Sequence, residues 1–352
     1  MRCRSILHDP PFRLAAACLA SALLLAGTAA AEGDASLWEY TPEDLANMRL
    51  TNMDHSLDEG EFLVGYQFMH MEMRGNRDGT NDLDRRDFFD QTGYMVRPRW
   101  MTMQMHMIHL MYSPKQDWTL MLMLPFVKLK MDHQLRMPMM GRRHFVTRND
   151  GVGDIEVTLL HTVFEDDLQR IILKGGVGIP SGAIGKKTST PMGRVRFPYP
   201  MRLGSGTVSL SPGATYSLET EHWNLGADIE GTFQLAENKY NYRLGPRGEI
   251  DAWVMGRVAK WFALSVRAQG SVWGNIHGRD KTLNPAMVPT ADPDRRAGAQ
   301  VTLLGGLNFI IDSGPLKGNR LVLEAGHPVY EWLDGPQLRT RWQTKLDWSF
   351  TF

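Results

Sequence analysis

Cysteine is nearly absent from this chain of 352 residues: there are two, Cys3 and Cys18, both near the start. A fold stapled by disulfides is therefore excluded for everything that follows them. Excess charge of either sign is also missing, with 39 Lys+Arg against 39 Asp+Glu. That balance gives no electrostatic footprint for nucleic acid, which needs a basic face. Long apolar runs are absent too, so no segment after the first 31 residues reads as a transmembrane helix, which takes about 20 apolar residues. The mean hydropathy of -0.30 would describe a soluble protein. It describes a membrane barrel equally well, because lipid-facing apolar and lumen-facing polar residues alternate and cancel in an average.

Residues 1–31 read as a signal peptide. Arg2, Arg4 and Arg13 form its basic region, Leu14 to Gly27 its apolar region, and Ala29-Ala30-Ala31 the small-residue cleavage site. A lipoprotein anchor at Cys18 does not fit, since Leu23-Leu24-Leu25 follows it. Residues 32–60 read as a periplasmic extension. Thr41-Pro42-Glu43-Asp44 supplies a cap, a first-position proline and first-turn acids for a short helix running to about Leu50. Either plugging the lumen or lying outside it is open to this segment.

Residues 61–352 fall into runs with period-two alternation. The spacing predicts strands at 61–73, 99–112, 118–130, 153–164, 168–179, 206–218, 223–235, 248–258, 262–273, 298–311, 319–329 and 337–352. Their connections alternate between short (113–117, 165–167, 219–222, 259–261, 312–318) and long (74–98, 131–152, 180–205, 236–247, 274–297, 330–336). Short periplasmic turns and longer outer loops are the plan of an all-β, twelve-stranded antiparallel transmembrane β-barrel in a Gram-negative outer membrane. An even strand number puts both termini in the periplasm. Tyr112, Trp118, Phe164, Tyr216, Trp223, Trp261, Phe262, Trp348 and Phe350 adjoin short turns or the C-terminus, as an interfacial girdle would. In the last strand, Leu338, Thr340, Trp342, Thr344, Leu346, Trp348, Phe350 and Phe352 form an apolar face against a polar one. A terminal aromatic strand ending in Phe352 resembles the C-terminal signal of outer-membrane barrels, which implies the assembly machinery as a partner beside lipid.

The face without aromatic or aliphatic residues is assigned to the lumen. It carries Arg170, Lys174, Asp228, Glu230, Arg339 and Arg341 among charges of both signs, so a structural network fits better than a single-sign selectivity ring. Methionine is the abundant residue: 17 of 22 lie between Met48 and Met140. Met69, Met71 and Met73 alternate on one strand, Met101, Met103, Met105, Met107 and His109 on the next, Met121 and Met123 on the third. A hairpin pairing 112 with 118 and 107 with 123 turns all three sets inward. Gln104 and His106 would then face lipid, which calls for a bulge or a membrane boundary near them; otherwise the strand is flipped and its methionines meet lipid. Such a wall is either a flexible apolar lining for varied solutes or a soft-metal track, with Met103, Met105, Met107 and His109 as candidate Cu(I) or Ag(I) ligands. Met-Asp-His occurs at 53–55 and 131–133.

No G-x-S-x-G is present and no histidine can be paired with a serine from sequence; a non-enzyme is expected, with no cofactor. Lys174–Gly182 (KGGVGIPSG), Leu203–Thr207 (LGSGT), Ser211–Tyr216 (SPGATY) and Glu237–Gly245 (ENKYNYRLG) resemble the transporter-like barrels grouped with the meta-pathway of phenol degradation proteins, in a methionine-rich form. The resemblance implies passive passage or binding of small, hydrophobic or aromatic solutes. Two further readings stand beside it: a Cu(I)/Ag(I)-handling barrel, and a structural barrel with a filled lumen.

Overall fold

The computed structural model describes residues 57–83, 88–137, 141–311 and 314–352. The expected signal peptide, the helix at 41–50 and the first Met-Asp-His lie outside them. The described chain is an all-β, antiparallel, closed barrel. Its ring runs β1 (Phe62–Gly79), β3 (Val96–Lys115), β4 (Trp118–Met137), β6 (Ile155–Glu165), β7 (Gln169–Ile179), β10 (Ser209–Glu219), β11 (Trp223–Gln234), β13 (Arg247–Ala259), β14 (Phe262–Trp273), β16 (Gly298–Ile311) and β17 (Asn319–Thr351), and β17 pairs back onto β1. Two strands of the sheet lie outside the ring: β2 (Asn81–Leu83) on β1, and β5 (Gly141–Val152) on β4. The outer loops carry the small pairs β8 (Lys187–Thr190) with β9 (Gly193–Arg196) and β12 (Tyr242–Arg243) with β15 (His277–Gly278). A five-residue helix, α1 (Phe88–Thr92), seats Phe88 and Phe89 against Tyr94.

Two of the expected long loops, 74–98 and 131–152, are shorter than predicted, because their flanking strands continue past the apolar belt. β1 runs on to Gly79, β3 starts at Val96, and 131–152 is mostly the β4–β5 hairpin. Polar residues at these outer ends hide strand periodicity without preventing ladder pairing. The β3–β4 register is also displaced. Tyr112 faces Leu120 and His109 faces Met123, with Lys115 opposite Trp118 around a two-residue turn in which Asp117 has φ 70°. The displacement is by two positions, so the faces keep the parity assigned from sequence.

Outward residues form an apolar band: Leu159, Leu173, Ile229, Val266 and Leu303 are all exposed, Val266 to 61%. A closed ring of this kind has no counterpart on a water-soluble surface, where large contiguous apolar patches are rare. At the short-turn end Tyr112, Trp118, Phe164, Tyr216, Trp223, Trp261 and Trp348 are exposed, and Phe62 stacks on Tyr112 at 4.3 Å. Band and girdle together are those of an outer-membrane β-barrel.

Candidate functional site

Strand parity builds two unlike walls around one lumen. Gln67, Met69, Met71 and Met73 of β1 and Met101, Met103, Met105 and Met107 of β3 line a cavity of about 620 Å³. The ladder sets Met69 opposite Met105, Met71 opposite Met103, and Met73 opposite Met101. Directly opposed side chains in an antiparallel sheet stand about 5 Å apart at Cβ, so these six make a continuous thioether surface.

The facing wall is polar and comes from β10, β11, β13, β14, β16 and β17. Asp228 stands opposite Asp251 and Glu230 opposite Glu249, two steps of like charge. Cations answer them from both sides. Lys174 Nζ lies 2.5 Å from Asp228 and 3.4 Å from Glu230, and Arg267 lies 2.9 Å from Glu324 and 3.7 Å from Asp251. Thr215 Oγ1 donates to Asp228 at 2.5 Å. The acids are tied up in this network, yet the wall remains strongly polar beside the chamber.

Glycine makes room for rings against the barrel wall, His109 and Trp253 among them. A Cβ on Gly65 would lie 1.8 Å from His109 Nε2, and one on Gly226 would lie 2.1 Å from the Trp253 ring. Each ring lies over the glycine directly opposite it in the ladder.

Apolar clusters lie toward both ends of the barrel. At the short-turn end Leu57, Leu63, Met111, Met121, Leu160 and Ile172 are buried together, with Met123 against them. At the mouth, Phe197, Met201 and Leu203 of an outer loop pack onto Met101, Leu129 and Met131. That loop is anchored by charge. Asp280 accepts from Arg196 at 2.7 Å and from Arg202 at 2.6 Å, and the Arg202 and Asp280 side chains are each 2% exposed. Burial alone would raise the Asp280 pKa, but hydrogen bonds from Arg196, Arg202 and Thr282 outweigh it and hold the carboxyl at about 2.

The predicted site residues divide accordingly. Met69, Met71, Met73, Met101, Met103, Met105, Met107, Asp228 and Glu230 line the chamber. Met121 and Met123 belong to the short-turn cluster, and His109 is buried over Gly65. Lys174 lies behind the acids, and Arg170 pairs with Glu165 at the short-turn end. Arg339 and Arg341 are corrected: the structure does not bring them to the chamber. The β1–β17 ladder passes from Glu72–Trp342 to Met73–Thr340, a bulge that reverses parity. Arg339 therefore reaches Asp82 and Arg341 donates to the Arg74 carbonyl, while Leu338 and Thr340, expected on lipid, line the chamber. The second Met-Asp-His is no ligand trio. Met131 is in the mouth cluster, Asp132 pairs with Arg99, and His133 stacks on Phe145. Gln104 and His106 do face outward, where Tyr66 Oη and His106 Nδ1 share a hydrogen bond of 2.8 Å.

Trp253 and Trp273 line the lumen, against the residue-type rule that sends aromatics to lipid. Parity carries the right answer: Trp253 continues the face of Glu249 and Asp251, and Trp273 that of Arg267, Gln269 and Ser271. The inward loop residues Pro200 and Arg296 have no periodic signal at all.

A family model described as "Putative MetA-pathway of phenol degradation" matches residues 89–314. Among solved structures, an outer-membrane channel from Pseudomonas putida F1 aligns over 86% of this chain and 100% of its own, with 11% identity and a TM-score of 0.57. At that identity the likeness shows the fold. The P. putida toluene transporter TodX aligns over 84% of this chain and 91% of its own (13% identity, TM-score 0.45). The translocator domain of the autotransporter NalP from Neisseria meningitidis aligns over 83% and 88% (8% identity, TM-score 0.44). No curated protein sequence matches the chain significantly.

Proposed function

The chain belongs to the family so described, whose model covers most of it, and from that membership we propose that it is an outer-membrane channel for passive passage of small apolar or aromatic solutes. The observation that carries this reading is the chamber itself: about 620 Å³ among the described residues, with one wall of methionine and an apolar cluster toward each end. Its volume falls in the range of small-molecule sites, about 300–1,000 Å³. Thioether side chains are polarizable and adaptable, and they suit aromatic solutes of varied shape. No catalytic step enters the proposal. Uptake of a small aromatic into liposomes containing the barrel tests it. Met105→Lys together with Met107→Lys should cut that uptake at least tenfold, since a lysine amine in the apolar wall is costly to desolvate. Unchanged uptake would refute the reading.

The thioether ladder of Met69, Met71, Met73, Met101, Met103 and Met105 favours one second reading, a track for Cu(I) or Ag(I). Substitution of Met103, Met105 and Met107 by Leu separates the two, because it keeps the apolar lining and removes sulfur. Cu(I) titration with X-ray absorption should find a sulfur-rich site, lost in that variant, if the metal is the cargo. Aromatic uptake should survive the same change if it is not.

Twelve passes also fit the ring better than eleven. Every neighbouring pair is antiparallel, which an odd closed ring cannot achieve. β17 pairs with β16 over Asn319–Leu333 and with β1 over Leu333–Thr351, as a strand folded back near Gly335 (φ 92°) would. Two processing proposals accompany this: cleavage after Ala31, checked by the mature protein's mass, and recognition of the Phe352 end by the assembly machinery, checked by loss of membrane insertion on deleting it.

A further inference from the structure

The β4–β5 hairpin rises beyond the lipid belt with an unusual arrangement of charge. Its outward face bears Lys130 directly opposite Arg148, and Arg136, which pairs with Asp90 at 2.5 Å, opposite Arg142. Like charges in directly opposed positions destabilise a sheet unless something between them is negative. The alternate face carries Leu129, Met131 and Leu135, all buried, so the cations cannot be turned away without losing that packing.

Beside this face lies a second cavity, about 540 Å³, between β5 and the β8–β9 hairpin. Four cations line it, Arg148, Lys186, Lys187 and Arg194, against a single acid, Asp150. Lys186 donates to the backbone carbonyl of Asp150 at 2.5 Å, which leaves the carboxylate out of that contact. Among the described residues none of the four cations forms an ion pair. The lumen and loop charges of the same protein are handled differently: Lys174, Arg267 and Asp280 each have two opposite partners.

The cleft also lies beyond the apolar band. Val152, at the end of β5, is half-exposed on the apolar band, and Arg148 lies four residues further out. At about 3.4 Å per residue that is roughly 14 Å along a tilted strand, which sets the cleft beyond that end of the apolar band. Val146, Met192 and Val195 are exposed around the same cations, so apolar and cationic groups are interleaved as at a lipid interface.

We propose that the cleft between β5 and the β8–β9 hairpin binds a phosphate on the headgroup of an outer-leaflet glycolipid. Arg148 and Arg194 supply planar donors that match phosphate oxygens, and Lys186 and Lys187 add point charge. Attachment there would couple the mouth loop, which continues from β9 through Phe197 to Met201, to the surrounding membrane.

The full-length mature barrel in detergent is titrated with bis-phosphorylated lipid A and with the same lipid stripped of phosphate, and bound lipid is counted by native mass spectrometry. Phosphorylated lipid should bind at least tenfold tighter than the stripped form. Arg148→Gln with Lys187→Gln and Arg194→Gln should abolish that difference, while the outer-loop control Lys239→Gln with Arg279→Gln and Lys281→Gln should preserve it. Thermal unfolding without lipid checks that both variants are folded. Equal binding of the two lipids, or equal loss in both variants, overturns the proposal. Displacement of lipid A by millimolar inorganic phosphate alone would assign the cleft to free phosphate and overturn it as well.

Discussion

Removing the carboxylate at Asp280 should open the mouth of the barrel without unfolding it. Asp280 lies on the loop between β14 and β16, and it receives Arg196 and Arg202 from the loop that inserts Phe197 and Met201 into the mouth. Tyr199 and Tyr242 flank Arg202, at 5.2 and 4.9 Å from its guanidinium carbon to their ring centres, and the Asp280 N–H donates to Tyr199 Oη at 3.1 Å. Asp280→Ala leaves Arg202 buried with no counter-charge, a change that costs about 3–5 kcal/mol. The loss falls on the loop rather than the strand ladder, because outer loops open locally. At 1.4 kcal/mol per tenfold, it lowers the closed-to-open ratio by at least a hundredfold. Conductance in planar bilayers should show longer or more frequent openings, and trypsin should cut at Arg196 or Arg202 in folded barrels. The pH dependence has a definite sign. The folded carboxyl titrates at about 2, below its ordinary 3.8, so its stabilisation is complete above about pH 4 and is lost as pH falls through about 2. That shift corresponds to about 2 kcal/mol. Wild-type gating should therefore be flat in the neutral range and rise only below about pH 4. An Asp280→Ala barrel with wild-type conductance and wild-type resistance to trypsin would refute the reasoning.

Three other outcomes follow from the same geometry. Phe197→Ala with Met201→Ala removes the buried mouth contacts, at about 2–5 kcal/mol for each side chain, and should raise aromatic uptake while leaving the strand content by circular dichroism unchanged. Gly65→Ala forces the His109 ring off its seat and should destabilise by about 1–3 kcal/mol; adding His109→Ala should recover most of that loss in a double-mutant cycle of unfolding midpoints. Leu57→Ser puts a hydroxyl into the short-turn cluster and should raise conductance independently of any change at Asp280, so the double variant should combine both effects.

Most of the fold is legible because most strand positions obey one rule, apolar to lipid and polar or methionine to the lumen. β14 and β16 begin and end where alternation begins and ends, at Phe262–Trp273 and Gly298–Ile311. Legibility fails where the rule has no purchase. Beyond the belt, β4 continues through Lys128, Lys130 and Asp132, where both faces meet water or loop and alternation carries no energetic weight. At the β17 bulge one extra residue reverses the parity, and Arg339 and Arg341 leave the lumen they were assigned to. Trp253 breaks the residue-type rule while keeping the parity rule, because Gly226 opposite it gives the ring a place to lie. Parity is a consequence of backbone geometry and residue type only a preference, so parity is the better guide where the two conflict.

The opposition of the two walls constrains what can cross. Methionine on β1 and β3 offers dispersion contacts and no hydrogen-bond donor, while β11, β13 and β14 offer paired carboxylates and guanidinium groups. A wholly apolar solute would leave the polar wall's water in place on one side only, and a multiply charged solute would have to pass along methionines that cannot solvate it. A planar solute with one apolar face and one hydrogen-bonding group meets both walls at once. An apolar cluster lies toward each end, so a solute meets apolar side chains on entering and again on leaving. For such a channel, transport rates across a solute series should follow the number of polar groups before they follow molecular size, and a series in which size alone set the rate would count against the two-walled lumen as the filter.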